Sequence, residues 1–116
     1  MGYLTTHILD TANGIPAAKV NIKLYSLTPI KKLIKEVVTN MDGRCDSPIL
    51  SEQEFKKGKY ELEFAIGYYF RHLGLQQEEP LFLDEVVIRF GINDEDSHYH
   101  VPVLVSPYSY STYRGS

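Results

Sequence analysis

Alternation of apolar and polar residues runs through most of the chain and predicts short, half-buried β-strands. Val20, Ile22 and Leu24 are interleaved with Asn21, Lys23 and Tyr25, which places a strand at residues 18 to 26. Tyr60, Leu62, Phe64 and Ile66 alternate with Glu61, Glu63 and Ala65, and Val86, Ile88, Phe90 and Ile92 with Val87, Arg89 and Gly91. Residues 3 to 9 and, less cleanly, 31 to 39 read as further strands. Asp10-Thr11-Ala12-Asn13-Gly14 and Asn40-Met41-Asp42-Gly43 carry turn chemistry, so Arg44 emerges from a turn. One helix start is predicted, where Ser51-Glu52-Gln53-Glu54 has capping-box spacing ahead of Phe55. Arg71 to Glu79 is polar and reads as a loop, with His72 on its surface. Short strands punctuated by single Gly and Pro residues predict an all-β sandwich or barrel.

Strand parity singles out two segments. In residues 98 to 105, Tyr99, Val101, Val103 and Val105 share one face while His98, His100, Pro102 and Leu104 share the other. The valine face belongs in the core, which turns His98 and His100 outward. The first strand repeats the pattern, with Leu4, Thr6 and Ile8 opposite Tyr3, Thr5, His7 and Leu9. An outward face that mixes histidines with apolar residues marks a pocket or an interface rather than a solvated surface.

Composition narrows the partners. The 116 residues suit a single domain spanning residues 1 to 116. With 43% hydrophobic and 23% charged residues the chain can bury a core. A net charge of −3 and a pI near 5.8 give no basic surplus for nucleic acid or anionic lipid. Cys45 is the one cysteine, so no intrachain disulfide forms, and beside Arg44 it reads as an incidental thiol in a turn. With no basic, apolar leader and no membrane-length run, a cytoplasmic setting is expected.

Several chemistries fit the histidines. His98 and His100 lie on one side of a strand, with His7 a possible third ligand, so a metal-dependent hydrolase is one reading; Arg44 would then be an awkward cationic neighbour. Acid–base work is another, since a neutral imidazole accepts a proton from water near neutral pH. No Gly-x-Ser-x-Gly elbow supports a covalent route. The stretch Tyr108-Ser109-Tyr110-Ser111-Thr112-Tyr113 is too aromatic for a frayed end, so Arg114 is expected on a docked segment where it could neutralise an anion.

Three segments resemble one family, the 5-hydroxyisourate hydrolases or transthyretin-like proteins. They are Leu4-Thr5-Thr6-His7-Ile8-Leu9-Asp10-Thr11 with Gly14-Ile15-Pro16-Ala17, then Thr39-Asn40-Met41-Asp42-Gly43-Arg44, and then His98-Tyr99-His100-Val101-Pro102 through Ser106 to Tyr113-Arg114-Gly115-Ser116. The resemblance implies a sandwich of two antiparallel sheets with about eight short strands and one short helix. It also implies a homotetramer, a dimer of dimers, whose outward histidines line a channel between the dimers.

Carried over by position, the resemblance implies catalytic roles for His7, Arg44 and His100, and a pocket closed by Tyr113, Arg114, Gly115 and Ser116. The implied reaction is hydrolysis of 5-hydroxyisourate to 2-oxo-4-hydroxy-4-carboxy-5-ureidoimidazoline in urate breakdown, with neither cofactor nor metal. His98 receives no catalytic role and reads as supporting structure. The sister branch, the carrier transthyretin, is similar in fold without the histidine pair and terminal tetrapeptide, so a non-catalytic small-molecule carrier is the competing expectation. Pro80 to Glu85, and Val103 and Val105 at leucine-like positions, depart modestly from the hydrolase pattern.

Overall fold

A computed structural model describes residues 1–115, so Ser116 lies outside the described residues. The described residues form nine strands, β1 (Tyr3–Asp10), β2 (Ile15–Pro16), β3 (Asn21–Ser26), β4 (Lys32–Val38), β5 (Leu50–Ser51), β6 (Gly58–Ala65), β7 (Glu85–Ile92), β8 (Tyr99–Val105) and β9 (Tyr110–Thr112), with one α-helix, α1 (Ile66–His72). They make two sheets. One runs β2-β1-β8-β9 with β5 also on β1, and the other runs β4-β3-β6-β7. The inner faces meet as the alternation requires: Leu4, Ile8, Ile22, Leu24, Leu62, Phe64, Val103 and Val105 are buried in one core cluster. Each such side chain contributes roughly 1.5–3 kcal/mol through burial.

The four-stranded sheet is antiparallel throughout. The five-stranded sheet departs from the expected wholly antiparallel pairing, because β1 and β8 run parallel, with Leu4 opposite Tyr99 and Asp10 opposite Val105. Alternation reveals which residues share a face but not the direction of a partner that lies most of the chain away.

The helix forms at a different place from the one the capping-box spacing predicts. Ser51 is extended, makes no side-chain cap and pairs with Tyr3 in β5, leaving only a 3-10 turn at Glu52–Glu54. Instead α1 begins at Ile66, where strand alternation was expected to continue. Ile66, Tyr69 and Phe70 stand at i, i+3 and i+4 and are all buried, which is the helical rather than the strand period.

Two buried carboxylates are fully engaged. Asp10 closes β1: Oδ1 accepts the Ala12 and Asn13 N–H groups, and Oδ2 accepts Asn13 Nδ2 at 2.7 Å and the Tyr69 hydroxyl at 2.8 Å. This ties α1 to the end of β1, and burial together with Asp10 pushes the Tyr69 phenol above its ordinary pKa. Glu61 accepts from Lys31 and Arg89, both at 2.9 Å. The Lys31 ammonium, aided by Arg89, holds its carboxyl below the usual range against the opposing effect of burial.

The turn before Arg44 is built around Asn40 and Gly43. Asn40 Oδ1 accepts the Asp42 and Arg44 N–H groups, and Gly43 O accepts Ile8 N at 2.9 Å. Gly43 has φ +75°, and a Cβ there would lie 2.4 Å from Ile8 O. Gly43→Ala is therefore expected to destabilise the fold by about 2 kcal/mol or more. Urea unfolding reads the loss as a lower midpoint, and an unchanged midpoint would show that the turn is not pinned to β1.

Candidate active site

Register assembles the site. The parallel β1 and β8 pairing sets Thr5 beside His100 and His7 beside Pro102. Because Leu4, Thr6 and Ile8 are buried inward, Thr5 and His7 face out with His98 and His100. Thr6, on the core side, satisfies its hydroxyl by donating to Val101 O at 2.6 Å. The Asn40–Gly43 turn then lays Arg44 against β1 through an isolated bridge with His7.

The result is a cleft of about 250 Å³ lined by Thr5, Arg44, Cys45, Ser47, His98 and His100. His7 stands beside it, its Nε2 at 2.9 Å from Asp42 O. A carbonyl can only accept, so Nε2 carries a proton, and the neutral ring has its lone pair on Nδ1. Thr5 Oγ1 bonds both other rings, 2.9 Å from His98 Nε2 and 2.8 Å from His100 Nδ1. His98 is also stacked on Tyr3, with centroids 4.0 Å apart.

Partial burial, then the charges of Arg44, His98 and His7, lower the pKa of His100 below its ordinary value. At neutral pH this imidazole is uncharged and able to take a proton. Burial, with a smaller push from Asp46, raises the Cys45 thiol to about 11, in keeping with an unreactive cysteine. Among the described residues no three His, Cys, Asp or Glu side chains gather as a metal-holding group.

The C-terminal stretch is docked, in two directions. Gly115 N donates to His100 O at 2.7 Å, and a Cβ at Gly115 would stand 2.8 Å from His100 Cδ2. Arg114 turns the other way: its guanidinium carbon lies 4.0 Å from the centroid of the Tyr99 ring. Tyr113 and Arg114 border a separate groove with Ile88 and Phe90. Within one chain, then, His7, Arg44, His100 and Gly115 come together, while Tyr113 and Arg114 do not join them. Sequence reading passed over Thr5, the residue that joins His98 to His100. Its outward parity beside His7 was visible, whereas its β8 partner was not.

The sequence profile of the HIUase/Transthyretin family matches residues 4–115. A 5-hydroxyisourate hydrolase of Pseudomonas aeruginosa is 55% identical over 117 residues, covering 100% of this chain and 93% of that protein. Among solved structures, (S)-allantoin synthase superposes with a TM-score of 0.94 at 50% identity; the match covers 99% of this chain but 44% of that longer one. Sea bream transthyretin in complex with thyroxine superposes with a TM-score of 0.85 at 29% identity, covering 97% of this chain and 93% of the other.

The electrostatics can be read directly. Titration of the His100 imidazole by NMR is expected to give a midpoint below the ordinary histidine value of about 6.5. Arg44→Gln should raise that midpoint, since a positive neighbour is removed. An unmoved midpoint would refute the coupling.

Proposed function

The chain belongs to the HIUase/Transthyretin family, and on that footing we propose that it is a 5-hydroxyisourate hydrolase acting in purine catabolism. The observation that carries the reading is the cleft in which Arg44 meets the neutral His100 at the outward face of β1 and β8. Overall shape does not separate hydrolase from carrier, because the thyroxine-bound transthyretin superposes so well. Side-chain chemistry and 55% identity to a hydrolase favour the enzyme.

In the proposed mechanism His100 Nε2 takes a proton from water as its oxygen attacks a ring carbonyl of the substrate. Arg44 neutralises the negative charge that develops on that carbonyl oxygen. His7, fixed by Asp42 O, offers its Nδ1 lone pair to orient the water. The tetrahedral adduct then expels the ring nitrogen, and the proton held by His100 passes to it, so that water has been added across the broken C–N bond.

The binding role of Tyr113, Arg114, Gly115 and Ser116 is part of the same proposal, in a pocket completed by a homotetramer. Its support is the Gly115 anchor on His100, with the half-buried Leu104 on the same outward face of β8. A cytoplasmic location is proposed from the lone, partly buried thiol. No helix among the described residues is long and apolar enough to cross a membrane.

Freshly generated 5-hydroxyisourate, followed by its ultraviolet decay, tests the function. Decay faster than the spontaneous rate and unaffected by a chelator is expected; background decay would sink the hydrolase reading, and chelator-sensitive turnover would replace it with a metal-dependent one. His100→Ala and Arg44→Ala should each cost roughly 100-fold or more in turnover with the fold retained. Near-normal rates in either folded variant would remove that residue from the mechanism. Gly115→Ala, which pushes on the His100 ring, should likewise lower kcat, and an unchanged kcat would show the ring free to shift.

A further inference from the structure

We propose that Thr5 is a positioning residue for His100, the middle member of a hydrogen-bonded chain joining His98, Thr5 and His100. The inference rests on the hydrolase reading of the same cleft. A hydroxyl has a single proton, so the bonds at 2.9 Å and 2.8 Å cannot both be donated by Thr5, and an imidazole must supply one. If His100 Nδ1–H donates to Thr5 and Thr5 donates to His98 Nε2, every partner is satisfied with both rings neutral. The lone pair of His100 is then on Nε2, which has no partner among the described residues.

The opposite order, from His98 through Thr5 to His100, puts the proton of neutral His100 on Nε2 and removes its basicity at that atom. Of the two orders, only the first lets a proton arrive on His100 Nε2 without any other hydrogen moving. Thr5 still accepts from Nδ1–H once the ring is an imidazolium, and that bond strengthens as the charge appears. Tyr3 stacking keeps His98 in place as the end of the chain. His98 therefore gains a role that parity alone does not give it: it receives the Thr5 hydrogen and so fixes which way the hydroxyl points.

Thr5→Val, Thr5→Ser and the wild type separate these roles. Thr5→Val, which keeps the shape but loses the hydroxyl, should lower kcat about 10- to 100-fold, while Thr5→Ser should stay within about threefold. The charged or titratable groups facing His100 are Arg44, His98 and His7, all present in every variant. Loss of the charge-assisted acceptor should therefore move the acidic limb of kcat/KM to lower pH in Thr5→Val alone. Full activity in Thr5→Val would overturn the proposal, as would equal losses in both variants with the limb unmoved. Nitrogen-15 spectra of the folded wild type give a readout independent of activity and of variant folding: both His98 and His100 are expected as Nδ1–H tautomers. An Nε2–H tautomer for neutral His100 would overturn the chain. Should the wild type fail to hydrolyse 5-hydroxyisourate, the hydrolase reading falls, and the tautomer spectrum alone decides whether the hydrogen-bonded chain exists.

Discussion

The parallel pairing of β1 with β8 is the constraint on which the site depends. Ladder hydrogen bonds fix Thr5 opposite His100, and the core fixes the faces, because a slip of one residue would turn Leu4, Ile8, Val103 and Val105 outward. Burial of the valine and leucine positions thus holds the histidines in register on the opposite face. The apolar interior and the polar cleft are two sides of one pair of strands.

A second layer of order comes from short polar contacts at strand ends. Asp10, with four donors, terminates β1 and anchors α1 through Tyr69; Thr39 donates to Ala17 O and accepts Val20 N, stitching the start of β3 to the approach of the Arg44 turn. Each buried oxygen is matched, so neither carries the penalty of an unpaired polar group. These contacts bring Arg44 to the outward face of β1 without burying its charge. Arg44 and Gly43 occupy adjacent positions for complementary reasons: the glycine admits a close backbone approach, and the arginine uses it.

Strand parity made the outward histidines legible, along with the core residues Leu62, Phe64, Val101 and Val103. It could not show the direction in which β1 meets β8, because period-two patterning is the same for parallel and antiparallel partners. The helix was misplaced for a related reason: Ile66 continues the strand alternation of β6, and only the burial of Tyr69 and Phe70 reveals the change of period. Ser51 has the composition of a cap, but its backbone is committed to β5. Resemblance singled out Arg44, and aromatic composition had already marked the terminal stretch as docked, yet neither could foresee that Gly115 and Arg114 diverge, which depends on packing around Tyr99. Thr5 was invisible as a functional residue since its meaning comes entirely from a neighbour 95 positions away.

Cys45 shows a different side of the cleft. Thiolates attack carbonyls readily, and one facing an activated ring would compete with water and leave a thioester-like adduct in place of a hydrolysed product. With its pKa at about 11, only on the order of one molecule in ten thousand carries that thiolate at pH 7. Partial burial acts on both groups in the same sense, favouring the uncharged form: it leaves the His100 imidazole unprotonated with a free lone pair and the Cys45 thiol protonated and inert. Selection between two nucleophiles, and not only activation of one, is built into the walls of the cleft.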